Sequence, residues 1–107
     1  RRDSPISFLN CTLNHSTFIG LSLRGLQLED SVVANVDFRE ADLAGANFAN
    51  SDLQESLFIN TNLAKADLSR ARHYTIFPLQ SKIKQAKFAL PEAMSLLYNL
   101  DIVLVED

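Results

Sequence analysis

The stretch ADLAG-ANFAN-SDLQE, which runs from Ala41 to Glu55, shows the pattern that decides the fold. Each five-residue unit has a small residue first, Asp or Asn second and Leu or Phe third. A spacing of five matches neither the 3.6-residue period of an amphipathic helix nor the two-residue alternation of a flat strand. The small and the large residue lie two apart, so they share one face of an extended segment. The three-residue step to the next unit requires a corner, and a short strand plus a corner, repeated, predicts a solenoid.

The same pattern continues through much of the chain. Every fifth residue from Phe8 to Leu68 is large and apolar, which gives thirteen consecutive units. The residue two places before each of these centres is mostly small, and the other positions are mostly polar, Gly or Ala. The repeat therefore predicts an inward-facing row of central residues. These are Phe8, Leu13, Phe18, Leu23, Leu28, Val33, Phe38, Leu43, Phe48, Leu53, Phe58, Leu63 and Leu68.

Central residues that lie twenty positions apart tend to be of the same type. Phe18, Phe38 and Phe58 lie twenty residues apart, and a second series, from Leu23 to Ile83, is aliphatic. Four units per coil predict a square cross-section, with coils stacked about 4.8 Å apart by backbone hydrogen bonds. The Phe series predicts rings that stack along the axis and contribute beyond plain burial of area.

After the thirteenth unit the repeat weakens but keeps its phase as far as Phe88. His73 and Pro78 occupy central positions, where neither suits a buried strand. We therefore expect residues 71–90 to form a distorted last coil, with a loop near Tyr74–Gln80.

The C-terminal segment predicts a cap. Pro91 favours the first turn of a helix, and Glu92 would lie where a carboxylate favours the helix dipole. Ile102–Val105 predicts a short strand. Because a solenoid needs a cover over its open end, we expect the helix to cap the C-terminal end. The chain is then a single domain over residues 1–107, with regular repeats over 6–70, the distorted last coil over 71–90, and the cap helix and strand over 91–107.

The N-terminal end has no comparable cap, because Ile6 and Phe8 already hold core positions. We expect further sequence or a partner to cover it. The chain does not begin with Met and shows no signal-peptide pattern, so we expect a fragment or a processed or trimmed form, from which a targeting sequence can be missing. Cys11, the only cysteine, leaves no intramolecular disulfide and favours a reducing compartment such as the cytoplasm. It occupies a small inward position, where we expect it to be buried and unreactive.

The units at 41–45, 46–50, 51–55 and 66–70 resemble the A(D/N)LXX motif of pentapeptide-repeat proteins. This resemblance covers about residues 6–70 and implies a right-handed quadrilateral β-helix. Together with the tail, the fold class is an all-β solenoid of about four coils with a short C-terminal capping α-helix and a terminal strand. The early units depart from the motif, because Leu21, Leu26 and Val36 place bulk where Ala is usual, so the first coils are expected to be wider or less regular.

The residues that often carry chemistry are isolated. His15 and His73 are far apart in the chain and have no neighbouring Cys or His, so we expect both to be solvated rather than metal ligands. Carboxylates on the outside of a convex rod lack the pocket that would separate their pKa values for catalysis. We therefore predict no enzyme activity, no catalytic residue, no metal or cofactor, and no small-molecule substrate. A membrane span is not expected either, because no apolar run is long enough.

Charge is segregated along the chain. Residues 29–67 hold eight acidic residues against Arg39 and Lys65, whereas residues 70–87 hold five basic residues and no acidic one. The resemblance implies one use for an acidic rod, a DNA-mimicking regulator or protector of a type II topoisomerase (gyrase). The alternative is ordinary solubilising charge with pairing between coils. Because the net charge is only −3, direct nucleic-acid binding is not expected.

A group of apolar residues breaks the polar pattern of the outward positions on one side of the square. Stacked on one face, they would form the kind of exposed patch that marks an interface. Alternatively, the Tyr74–Gln80 loop or the terminal helix folds over them. The residues are Ile19, Leu57, Ile59, Phe77 and Leu79.

The favoured function is therefore a non-enzymatic pentapeptide-repeat scaffold that mediates protein–protein interaction with an unidentified partner. The C-terminal helix offers a second contact, since similar helices in the quinolone-resistance branch of the family help to form dimers. Capping alone and capping with homodimerisation both remain open. The candidate cap and dimer residues are Met94, Leu97, Tyr98 and Leu100.

Overall fold

The computed structural model describes residues 7–8 and 10–106 and shows walls built by pairing residues twenty apart. β1 (Thr12–Asn14) pairs in parallel with β2 (Val32–Ala34), and β3 (Asp67–Leu68) pairs in parallel with β4 (Lys87–Phe88). Single-residue parallel bridges with the same offset connect the other walls, from Ser7↔Gln27 to Asn62↔Lys82. An offset of twenty residues equals four five-residue units, so the predicted coil length is confirmed and the fold is a β-solenoid.

The core consists mainly of the predicted central residues. The prediction was wrong for Phe8, which is 38% exposed in the first coil, and Ile6 lies outside the described residues. Phe38, Phe48 and Leu43 are essentially without exposed surface. The Phe38 ring stacks between Phe18 and Phe58, with centroids 5.6 and 5.3 Å away and interplanar angles of 15°. Phe48 meets the Phe38 ring edge-on at 5.8 Å. The predicted stack of rings along the axis is confirmed, and its offset and edge-on contacts are those that aromatic rings favour.

Each corner of the coil places the second residue after a centre in the left-handed region. Positive φ recurs every fifth residue from Asn10 to Arg70, at Gly20, Gly25, Gly45 and otherwise at residues with a side chain. The left-handed conformation costs roughly 1–2 kcal/mol for a residue with a Cβ. Lys65 (φ 62°) and Glu40 (φ 62°) therefore occupy corners that glycine would fill with less strain.

Inward hydroxyl groups replace a turn hydrogen bond in some units. In most units the amide of the small residue donates to the carbonyl of the preceding centre, as Ala41 does to Phe38 at 3.0 Å. Ser56 Oγ instead bridges such a pair from the next coil, accepting from Val36 N–H at 3.1 Å and donating to Val33 C=O at 2.7 Å. Because Ser56 is buried, its hydroxyl satisfies polar groups that water does not reach.

The first coil is less covered than the rest. Leu26 and Val36 are buried despite their bulk, but Leu21 is 48% exposed. Cys11 is only half-buried, so the prediction of a buried thiol was wrong in degree. The reason is its position in the first coil, where no preceding described coil packs on it.

The last coil slips out of phase between His73 and Gln80, so the prediction of constant phase was wrong there. His73 takes a left-handed φ of 61°, two residues before the next regular corner, and its side chain turns outward as predicted. Tyr74 is buried in place of His73, whereas Ile76 is buried at a regular inward position, two residues before Pro78. Asn60 N–H then bonds to Gln80 C=O, one residue later than the regular pattern. The bridge Asn62↔Lys82 restores the regular offset.

The helix is shorter than predicted, because it begins three residues after Pro91. α1 covers Met94–Tyr98, while residues 91–93 form turns, so Glu92 lies before the helix rather than in its first turn. Leu96 packs against the core, and the Asn99 amide donates to Ile76 C=O at 2.9 Å.

The predicted strand at Ile102–Val105 was wrong. These four residues have no ladder partner and are all exposed, because the segment lies past the helix and pairs with no edge of the coil. Within residues 7–8 and 10–106, the structure contains no helix with the length and apolar character needed to traverse a bilayer.

Candidate interaction surface

The five predicted patch residues are all solvent-exposed. Exposed fractions are 47% for Ile19, 41% for Leu57, 37% for Ile59, 38% for Phe77 and 84% for Leu79. Two of these exposed residues, Phe77 and Leu79, belong to the Tyr74–Gln80 loop. Each residue lies next to an inward centre of the Phe wall or in the loop beyond that wall, because neighbouring residues of a strand point to opposite faces.

Ile19 is separated from the other four by one coil. The backbone bonds Gly20 N–H to Arg39 C=O and Glu40 N–H to Ile59 C=O stack Arg39 between Ile19 and Ile59. In this intervening coil the Arg39 guanidinium lies on the Asp37 carboxylate, with Nη2 to Oδ2 at 2.7 Å. The hydrogen bond from Arg39 holds the pKa of Asp37 below its usual value. The other four residues lie in the next coil of this wall or in the loop beyond it, and we call Leu57, Ile59, Phe77 and Leu79 the wall patch.

The ladder of backbone bridges between consecutive coils is interrupted at the wall patch. Asp52, Asn62 and Asp67 each pair with the residue twenty positions later in the last coil. In the described part of the chain, Leu57 has no such bridge to Phe77. The Phe77 carbonyl instead accepts Gln80 N–H at 2.8 Å, which closes a tight turn. The interruption leaves two grooves, of about 470 Å³ beside Leu57 and Thr75 and about 530 Å³ beside Leu79.

The C-terminal helix exposes three of the four predicted cap and dimer residues. Met94, Leu97 and Tyr98 are exposed, whereas Leu100 is half-buried. The helix residue that contacts the core is Leu96, which the sequence analysis did not select. Leu96 lies three residues before Asn99, and residues three apart share a helix face. Because Asn99 bonds to Ile76, this face is the one that meets the last coil.

The residue types that often carry chemistry are dispersed over the surface. His15 is exposed at a corner, and His73 Nδ1 lies 2.8 Å from Asp52 Oδ1 at the surface. Within residues 7–8 and 10–106, no three His, Cys, Asp or Glu side chains are grouped as a metal site requires. Burial raises the pKa of Tyr74 to about 12, with a smaller contribution from Glu92, so its phenol stays protonated.

The acidic residues are partly neutralised by their neighbours. Arg24 Nη1 lies 2.8 Å from Asp42 Oδ2. Partial burial alone would raise the pKa of Asp42, but hydrogen bonds led by that from Arg24 bring it below its usual value. Partial burial would also raise the pKa of Asp67, but hydrogen bonds from Ser69 lower it below its usual value. The charge of Lys87, which stands in register with Asp67, makes a smaller contribution in the same direction. The basic stretch thus faces acidic residues of the adjoining coil.

Comparison with known proteins places the repeat in a described family. The family model for the pentapeptide repeat region matches residues 4–68. Among solved structures, HetL, a pentapeptide repeat protein involved in heterocyst differentiation regulation from the cyanobacterium Nostoc sp. strain PCC 7120, has a TM-score of 0.56 at 23% identity, covering 71% of this chain and 33% of HetL. Full-length QnrB1, a plasmid-mediated fluoroquinolone resistance protein, has a TM-score of 0.42 at 16% identity, covering 89% of this chain and 68% of QnrB1.

These likenesses concern the fold, and the structural neighbours are right-handed β-helix proteins. The chain spans about a third of the length of HetL. No curated protein sequence matches it.

Proposed function

This chain belongs to the pentapeptide-repeat family, and from that premise we propose that it is a non-enzymatic scaffold that binds another protein through the wall patch. The observation that carries the proposal is the exposure of Leu57, Ile59, Phe77 and Leu79 at or beyond outward positions where the repeat mostly places polar residues, Gly or Ala. A rigid coil holds Leu57 and Ile59 in fixed positions, so little conformational entropy is lost when a partner covers them.

Burial of the patch supplies a plausible driving force. Covering an exposed Leu, Ile or Phe side chain completely stabilises by roughly 1.5–3 kcal/mol. Three of the four side chains are already more than half covered, so each would contribute about half of that amount, and Leu79 would contribute more. The outward side chains act as contacts in this proposal, and none is assigned a catalytic role.

The finer architecture is part of the same proposal. We take the chain as a single domain in which about four right-handed coils end in the distorted segment 71–90, with α1 as the C-terminal cap. The contact of Leu96 with the core and the bond from Asn99 to Ile76 support the cap. A homodimer through this end is the second partner proposal, supported by the exposure of Met94, Leu97 and Tyr98.

The alternative of DNA mimicry has less support. A mimic of duplex DNA needs a regular row of unpaired negative charge. Here Asp37 and Asp42 are paired with Arg39 and Arg24, and Lys87 lies beside Asp67. We expect no inhibition or protection in a gyrase supercoiling assay at micromolar protein, and clear protection there would favour mimicry over the scaffold.

The wall patch is tested by charge substitution. We expect Ile59→Glu and Leu57→Asp to abolish partner recovery in a pull-down or to change the oligomeric state in sedimentation, without loss of the folded circular dichroism spectrum. Ile19→Glu is the matched control, because it changes an equally exposed Ile on the same wall beyond the Asp37–Arg39 pair. If partner recovery and oligomeric state stay unchanged in both patch variants, the wall patch is not the interface.

A further inference from the structure

Two buried hydroxyl groups, one in the last coil and one in α1, have no hydrogen-bond partner. Among the described residues, Tyr74 Oη and Ser95 Oγ are the buried side-chain polar atoms without such a bond. The Tyr74 side chain is 5% exposed, and its ring lies 5.6 Å from that of Phe88. Ser95 lies one turn before Asn99, which bonds to the last coil, so Ser95 is on the same helix face. A hydroxyl that leaves water without gaining a partner opposes the packing that buries it.

The attachment of α1 to the coils is slight. Within the described residues 90–106, Asn99 makes the only side-chain hydrogen bond to the coils, and only Leu96 packs on the buried core. The backbone hydrogen bonds of this segment stay within residues 89–101. Residues 102–105 add no anchor, because they are exposed and form no hydrogen bond with the described chain.

The helix also lacks the features that stabilise a short helix by itself. α1 spans five residues, and a helix of that length is not stable alone in water. Ala93 at its N-cap has no side-chain acceptor, its first turn has no acidic residue and its last turn has no basic one. No residue of α1 is buried. Docking of the helix therefore depends on Leu96 and Asn99, and the two unpartnered hydroxyls act against it.

We infer that residues 91–101 form a hinged lid that opens from the last coil while the coils stay folded. Opening returns the hydroxyls of Tyr74 and Ser95 to water and uncovers the end of the core. Leu90, which is 76% exposed, stands at the hinge. The coils do not depend on the lid, because the last coil bonds to the coil before it, as Lys87 N–H does to Ala66 C=O at 2.9 Å. This inference goes beyond the proposed function, since neither the wall patch nor a partner enters it.

Native-state hydrogen exchange measured by NMR tests the lid. After correction for intrinsic rates, we expect the amides of Leu96 and Asn99 to exchange about a hundredfold or more faster than that of Lys87, because local opening needs less free energy than unfolding of the coils. Low urea concentrations should accelerate exchange at Lys87 and leave the two lid amides nearly unchanged, because opening of the lid exposes little surface.

Substitutions at the two hydroxyls distinguish a lid from ordinary fraying of a chain end. Tyr74→Phe keeps the ring and removes the unpartnered hydroxyl, so it should slow exchange of the lid amides about fivefold or more, and Ser95→Ala should act in the same direction. Tyr98→Phe is the matched control, because the Tyr98 side chain is 59% exposed and its hydroxyl is already available to water. Asn99→Ala should accelerate exchange of the Leu96 amide about threefold or more.

Two results would overturn the inference. Equal protection of Leu96, Asn99 and Lys87 in the parent protein would show that the lid opens only when the coils unfold. Exchange of the lid amides that is unchanged or faster in Tyr74→Phe would show that its buried hydroxyl does not oppose docking. The pull-down and sedimentation results for the wall patch variants do not enter this test, so the lid and the scaffold proposal fail separately.

Discussion

The Ser56 hydroxyl accepts the Val36 amide at 3.1 Å from one coil further along the axis. The same hydroxyl donates to Val33 C=O, so one side chain closes a corner of the preceding coil that lacks its own turn hydrogen bond. The small inward position is therefore more than a place where bulk is excluded. At Ser56 it joins consecutive coils through a hydrogen-bonded bridge that adds to the backbone ladder.

Removal of this bridge should destabilise the protein. For Ser56→Ala we expect a loss of about 1–3 kcal/mol in the free energy of unfolding, because Val36 N–H and Val33 C=O lose their buried partner. Relaxation to a direct turn bond, as between Ala41 and Phe38, would bring the loss toward the lower value. Urea unfolding measures the change, and Ser22→Ala, at an exposed position, is the control. Equal midpoints for the two variants would contradict the bridge.

The central ring of the aromatic stack should contribute more to the free energy of unfolding than an exposed apolar side chain does. Phe38→Ala removes a ring that contacts Phe18, Phe48 and Phe58, so we expect a loss of about 3–5 kcal/mol. Leu79→Ala should change stability by no more than about 0.5 kcal/mol, since the side chain is 84% exposed. Thermal and urea unfolding compare the two. A small loss for Phe38→Ala would show that the stack contributes little.

The corners predict opposite effects for two substitutions. Gly45→Ala should destabilise by about 0.5–1 kcal/mol, because φ is +71° and the strain of roughly 1–2 kcal/mol on a residue with a Cβ exceeds the gain from a less flexible unfolded chain. The added Cβ meets no atom within 4 Å, so no steric clash adds to this loss. Lys65→Gly relieves similar strain at φ 62° but raises the conformational entropy of the unfolded chain. The net gain in the free energy of unfolding is about 0.5–1 kcal/mol. Unfolding midpoints check both signs. Destabilisation by both substitutions would refute the account of the corners.

The Asp37–Arg39 pair predicts a dependence on pH. The hydrogen bond from Arg39 lowers the pKa of Asp37 in the folded state, so its contribution to stability is present above the usual Asp value and is lost as pH falls through the lowered value. Arg39→Gln removes the cause. We expect the melting temperature of this variant to lie below that of the parent at pH 6 and to converge with it below pH 3. A constant difference across this range would exclude Asp37 as the titrating group.

The C-terminal end predicts a concentration-dependent assembly. If Met94, Leu97 and Tyr98 form a dimer contact, Leu97→Glu should yield a monomer at concentrations where the parent sediments as a dimer. Leu21→Glu, which changes an exposed Leu at the opposite end, should leave the assembly unchanged. Sedimentation velocity measures both. A parent that stays monomeric at about 100 μM would leave α1 as a cap alone, since that concentration corresponds to only about 5.5 kcal/mol of association.

Several local features were readable because they follow from side-chain periodicity. The series Phe18–Phe38–Phe58 predicted both the twenty-residue coil and the stacked rings. The outward turn of His73 followed from the poor fit of an imidazole in a buried centre. The wall patch residues were also identified from the sequence, because an apolar side chain at an outward position breaks the repeat, and their role as an interface stays a prediction.

Other features could not be predicted from the sequence, because they depend on which groups face each other across coils. The half-exposure of Cys11 follows from its place in the first coil. The separation of Ile19 from Ile59 follows from Arg39 in the coil between them. Leu96 rather than Leu97 meets the core because the five-residue helix lies at one particular rotation on the last coil.

By itself, the sequence determined the solenoid, the coil length and the inward series of residues, because a strict period of five admits one way to bury every centre. Only the tertiary structure decided where the ladder stops. Tyr74 is buried in place of His73, and Ile76 is buried at the inward position two residues before Pro78, because the two apolar side chains fill core volume that His73 and Pro78 suit poorly. This packing shifts the backbone by one residue at Gln80, and among the described residues it leaves Ser56 C=O and Phe58 N–H without a hydrogen bond, which is a relation between coils that no single unit encodes.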